Sequence, residues 1–199
     1  MNLPNKITLT RIFMIPVFVA IFFLDGVIPF AFGIAAIVFA LAACTDFIDG
    51  HIARSRGLVT NLGKFLDPIA DKVLVSTAMM LILTMQDSLF AKFPQYAQAM
   101  YIATAVCICV IMARELIISA FRQIAATRGL VMAADKLGKY KTTFQDVSIF
   151  ALILSAIISG KAGVIIAAVG FVLFAVATVL TVWSGISYVV KNKQVLKDQ

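Results

Sequence analysis

Six apolar runs dominate this chain, at residues 7–24, 28–49, 64–85, 97–122, 144–159 and 162–190. A helix needs about 20 residues to cross the hydrocarbon of a bilayer. Backbone in lipid must satisfy its own hydrogen bonds, so only helices and closed barrels can span. Spanning strands would alternate apolar and polar residues, and no such alternation is visible. The expectation is an all-α polytopic membrane protein with six transmembrane helices, built as a single domain over residues 1–199. Breakers separate the runs: Asp25-Gly26, Pro29, Pro94 and Gly160. Charged residues make up 14% of the chain, against about 25% in a soluble domain. The N-terminal MNLPNKITLTR has no cleavable signal-peptide pattern.

Six crossings put both termini on one side, and the basic residues choose which. Three of the connecting loops, near residues 25–28, 86–96 and 160–163, carry only Lys92 and Lys161 of the seventeen Lys and Arg. The rest fall on the opposite side and its adjoining helix ends, which makes both termini cytoplasmic. The net charge of +7 then suits a membrane surface or an anionic substrate, and there is no nucleic-acid motif. Cys44, Cys107 and Cys109 lack metal-ligand spacing and read as small apolar packing residues.

Against this background one stretch stands out, TDFIDGHIARSRGLVTNLGKFLDPIADK, from Thr45 to Lys72. It holds Asp46, Asp49, Asp67 and Asp71 in a chain with ten acidic residues. Asp46 and Asp49 are three apart, and Asp67 and Asp71 are four apart, so on helices each pair shares a face. The second and third helices, joined by a short cytoplasmic connection, would run antiparallel and bring the two acidic faces together. Four carboxylates at a membrane boundary need a counter-charge. An oxygen-only donor set without His or Cys suits a hard divalent cation, Mg²⁺ or Mn²⁺. Two such ions about 4 Å apart can clamp an in-line phosphoryl displacement. Gly50, Ala53 and Gly63 would let a phosphate-bearing ligand approach the backbone, and Arg54 can hold a phosphate with paired hydrogen bonds. His51 reads as a solvated loop residue.

The whole pattern, D-x-x-D-G-x-x-A-R-x8-G-x3-D-x3-D from Asp46 to Asp71, resembles the signature of the CDP-alcohol phosphotransferase family at every position. The resemblance, with its six-helix arrangement, spans nearly the whole chain. It implies displacement of CMP from a CDP-linked substrate by an alcohol hydroxyl. It also implies that Asp46, Asp49, Asp67 and Asp71 form a two-metal site for Mg²⁺ or Mn²⁺, with Asp71 as the general base. Asp46, Asp49, Gly50, Ala53, Arg54 and Gly63 would surround the CDP-diacylglycerol donor. The segments ARELIISAFRQIAATRG (113–129), GKYKTTFQ (138–145) and LPNKITLTR (3–11) look like their counterparts in the phosphatidylglycerophosphate-synthase branch of the family. That branch implies glycerol-3-phosphate as acceptor, a homodimer among membrane lipids, and a place in the bacterial cytoplasmic membrane with the active site facing the cytoplasm.

The charges of the later helices point the same way. Arg114 lies deep in the fourth apolar run, an expensive position. Glu115 is its sequence neighbour and on a helix would face another side, which would leave Arg114 without a carboxylate. With Arg122, Lys136, Lys139 and Lys141, it is the expected binding group for the acceptor's phosphate. Three alternatives compete. A divalent-cation transporter would place its acids near mid-membrane, often between repeats. An aspartate-rich prenyltransferase would carry two distant acidic motifs. An inositol-phosphate acceptor would need the same basic cluster.

Overall fold

The computed structural model describes residues 3–55, 61–127 and 136–196. Among these residues six α-helices follow in order: α1 (Leu3–Phe23), α2 (Ala31–Ser55), α3 (Asn61–Ile82), α4 (Ala97–Thr127), α5 (Lys136–Ser155) and α6 (Gly160–Lys191). Short 3₁₀ turns lie at Phe90–Lys92 and Lys193–Leu196. No strand occurs among the described residues. The α1–α2 turn needs a positive φ at Gly26 (87°), a conformation that costs glycine nothing.

All six helices expected from the apolar runs are present. α2 reaches Ser55 and α3 begins at Asn61, so most of the aspartate stretch is helix rather than connection. His51 consequently lies on α2 and not in a loop. α5 begins eight residues before its apolar run, with the polar turns Lys136–Thr143.

α6 turns mostly small residues inward and large apolar ones outward. Along α6 the buried positions include Gly163, Ala167, Gly170, Ala177, Thr181, Ser184 and Gly185. Val169, Val172, Val179, Trp183, Ile186 and Val190 point outward and are exposed. Small residues let membrane helices approach closely, while the large apolar ones meet lipid. Exposed apolar faces of that extent are foreign to a monomeric soluble surface. Among the described residues, Lys6–Phe23, Ala97–Ala126 and Gly160–Lys191 are long and apolar enough to cross a membrane, and Ala31–Thr45 is a shorter apolar helix. α3 and α5 differ because they carry charged turns within the helix itself. Cys107 is half-buried against the core, whereas Cys44 and Cys109 are exposed, which corrects their reading as packing residues.

α1 and α2 join through a phenylalanine seam, with Phe22 and Phe32 ring centroids 4.9 Å apart and Phe18 and Phe39 6.0 Å apart. α5 packs along α6 and also touches α2 and α3. The three connections expected on one side do meet at one end of the bundle. Lys92 Nζ donates to the Ile158 carbonyl at 2.9 Å, and Ile157 lies against Gly33. The last turns of α2 and the first turns of α3 and α5 lie at the other end.

Candidate active site

The motif residues sit on helices as their spacing requires. Asp46, Asp49, Gly50, Ala53 and Arg54 lie on the last turns of α2, and Gly63, Asp67 and Asp71 on the first turns of α3. The side chains of all these except Asp71 lie outside the described residues. Among the described residues no cluster of three metal-ligating side chains occurs.

Asp71 lines a cavity of about 50 Å³ at this end of the bundle, between α3, α4 and α5. That is several times the space one water needs. Lys72, Ser76, Glu115, Lys141, Thr142 and Gln145 share its wall, and Val75, Met79 and Met112 supply apolar surface. Lys141 is only 7% exposed. Its ammonium contacts Glu115 Oε1, and the same oxygen accepts from Arg114 Nη1 at 3.0 Å. Lys72 contacts the Ser119 hydroxyl, which donates to the Glu115 carbonyl at 2.6 Å. Two carboxylates and two lysines thus line one small space, and the Lys141 ammonium is paired with the Glu115 carboxylate, as a desolvated ion requires.

Arg114 is anchored from α6. Its Nε donates to the Thr181 carbonyl at 3.1 Å and its Nη2 to Ser184 Oγ at 3.0 Å. Gly185 leaves room for it: a Cβ there would stand 3.0 Å from Arg114 Cγ and 3.1 Å from Nε, so the arginine would have to shift by a few tenths of an ångström. A second buried cation lies near the start of the motif. Arg11 of α1 is fully buried, and its Nε donates to Thr45 Oγ1 at 3.2 Å. Thr45 immediately precedes Asp46.

The sequence pattern of the CDP-alcohol phosphatidyltransferase family matches residues 1–183. Over 163 residues the chain is 40% identical to the CDP-diacylglycerol–glycerol-3-phosphate 3-phosphatidyltransferase of Bacillus subtilis (strain 168), covering 77% of each chain. It is 38% identical over 201 residues to the protein of that name in Escherichia coli (strain K12), covering 100% of this chain and 98% of that one. The chain belongs to the CDP-alcohol phosphatidyltransferase family.

For a member of this family, the basic residues expected at the acceptor divide into separate groups. Lys141 lines the Asp71 cavity. Arg122 does not: it is exposed, donates from Nε to the Tyr188 hydroxyl at 3.2 Å, and lies 5.1 Å over that ring. The side chains of Lys136 and Lys139 lie outside the described residues. For Arg114 the expectation of a missing carboxylate is corrected, since Glu115 supplies one. Neighbouring helical positions start on different faces, but two long side chains can bend until their ends meet. Arg11, Lys72 and Glu115 were absent from the expected site. Their signal was a charge at an apolar boundary, visible in Lys72 directly after Asp71 and in Glu115 within a long apolar run.

Proposed function

We propose that this chain transfers the phosphatidyl group of CDP-diacylglycerol to glycerol-3-phosphate, giving phosphatidylglycerophosphate and CMP. The observation that carries the reading is the cavity in which Asp71, the last carboxylate of the family motif, meets the buried Lys141. Relatives that carry this activity as their name align with the chain over nearly its whole length, which supports it further.

In this reading the chain crosses a bacterial cytoplasmic membrane six times and keeps both termini and the active site on the cytoplasmic face. It works as a homodimer. Asp46, Asp49, Gly50, Ala53, Arg54 and Gly63 surround the CDP moiety of the donor. Asp46, Asp49, Asp67 and Asp71 hold Mg²⁺ or Mn²⁺, and their oxygen-only donor set on two adjacent helices fits such ions. When bound, the metals neutralise the diphosphate and the charge that develops on transfer. Lys141 holds the acceptor's phosphate by a charge-assisted contact. Asp71 takes the proton of the acceptor's free hydroxyl as its oxygen attacks the lipid-linked phosphorus and the bond to CMP breaks. Arg114, bound to α6 and to Glu115, orders this end of α4 rather than clamping the phosphate. Arg122, Lys136 and Lys139 draw the dianion in from the cytoplasm, an effect that salt weakens.

The test uses purified protein in detergent with CDP-diacylglycerol and radiolabelled glycerol-3-phosphate. CMP release should require both substrates, stop in excess EDTA and return with Mg²⁺ or Mn²⁺. Unlabelled inositol phosphate should compete poorly for the acceptor site. Full activity in EDTA would sink the metal assignment, and equal use of inositol phosphate would sink the acceptor.

A further inference from the structure

A cavity that takes a phosphate dianion faces a difficulty when it is empty. Lys141 is almost wholly buried at 7% exposure, and a buried ammonium without an anion is strongly disfavoured. Glu115 supplies that anion, because its Oε1 contacts Lys141. The same oxygen also accepts from Arg114 Nη1 at 3.0 Å. The two cations are held very differently. Arg114 is fixed by Thr181 and Ser184 of α6 at 3.1 and 3.0 Å, in a groove opened by Gly185. Lys141 has a flexible four-carbon stem and ends at the cavity wall.

We propose that Glu115 is a resident counter-anion that stands in for the acceptor's phosphate. When the phosphate enters, Lys141 exchanges Glu115 for it, and Glu115 stays paired with Arg114. No bond is made or broken in this exchange, and no buried charge is left alone at either stage. Glu115 is thus a specificity device: it sets a threshold that only a strong anion overcomes. An uncharged alcohol brings nothing that can displace it. The proposal rests on the reading of Lys141 as the acceptor-phosphate group.

The sign of the expected effect separates this role from simple support of the fold. Removing a supporting residue weakens acceptor binding, whereas removing a competitor strengthens it. In detergent-solubilised full-length protein, Glu115→Gln should lower the KM for glycerol-3-phosphate by roughly three- to tenfold, the net worth of one ordinary hydrogen bond. The same variant should tighten competitive inhibition by inorganic phosphate in parallel and leave the KM for CDP-diacylglycerol unchanged. Glu115→Asp is one methylene shorter and keeps the charge. It should move the acceptor KM in the same direction by about twofold, and it serves as the test if Glu115→Gln fails to fold. In a Lys141→Met background, Glu115→Gln should no longer affect the acceptor KM. An acceptor KM that is unchanged or raised in both Glu115 variants, while Lys141→Met raises it, overturns the exchange alone. An acceptor KM that is unaffected by Lys141→Met overturns the acceptor site and the exchange together.

Discussion

The two ends of the helix bundle each hold a lysine in a partly enclosed place, and they hold it in different ways. At the end where the three turns meet, Lys92 Nζ donates to a backbone carbonyl, that of Ile158, at 2.9 Å. At the other end Lys141 contacts the carboxylate of Glu115, beside a cavity that Asp71 also lines. A carbonyl that ends a helix turn is a fixed and neutral acceptor. It ties two connections together and has nowhere to go. A carboxylate already shared with Arg114 can release one partner and keep the other. The first arrangement is a staple, and the second can exchange ligands. On the proposed reading, charge alone does not mark function in this fold; what marks it is charge whose partner is replaceable and whose surroundings leave room.

The widest separation between the ends should come from Asp71. Asp71→Asn should lower kcat by roughly 10²–10⁴-fold while weakening CDP-diacylglycerol binding far less, measured by steady-state kinetics and by donor binding under non-turnover conditions. Equal losses in both would make Asp71 mainly a metal ligand. A smaller effect, on stability, is expected at Arg114. Arg114→Ala removes the contacts to Thr181, Ser184 and Glu115 and should destabilise the folded protein by about 1.5–3 kcal/mol, read as a lower thermal midpoint in detergent. Its acceptor KM should change less than that of Lys141→Met; the reverse ranking would return Arg114 to the phosphate. The smallest effect belongs to the other end. Lys92→Met should cost about 1 kcal/mol of stability and leave both KM values and kcat at their wild-type levels. A changed acceptor KM in Lys92→Met would mean that the two ends are coupled and the contrast between them is false.

The helices were legible because lipid leaves the backbone few choices, so apolar length alone located all six to within several residues. The start of α5 departs furthest from its apolar run. Its first turns, Lys136–Thr143, are polar, and hydropathy reads polarity as the end of a membrane helix. Those turns are helical nonetheless, and Lys141 and Thr142 on them line a cavity. The aspartate motif was legible because its spacing of three and four suits a helix face, and the chain does place it on α2 and α3. The ion network was not legible. Helical spacing predicts where side chains begin, while Arg114, Glu115 and Lys141 meet at their far ends, after up to four rotatable bonds. Nor could local sequence pair Arg114 with Ser184 or Arg11 with Thr45, because tertiary packing brings those partners together from distant helices.

The central claim is that the cavity shared by Asp71 and Lys141 receives the phosphate of glycerol-3-phosphate. Its most direct test is the acceptor KM of Lys141→Met, measured at saturating CDP-diacylglycerol in the same detergent as wild type, with retention of the folded state checked by its thermal midpoint. The account predicts a rise of at least about tenfold, the loss of one charge-assisted contact, with the donor KM unchanged. A folded Lys141→Met protein with a wild-type acceptor KM would contradict it.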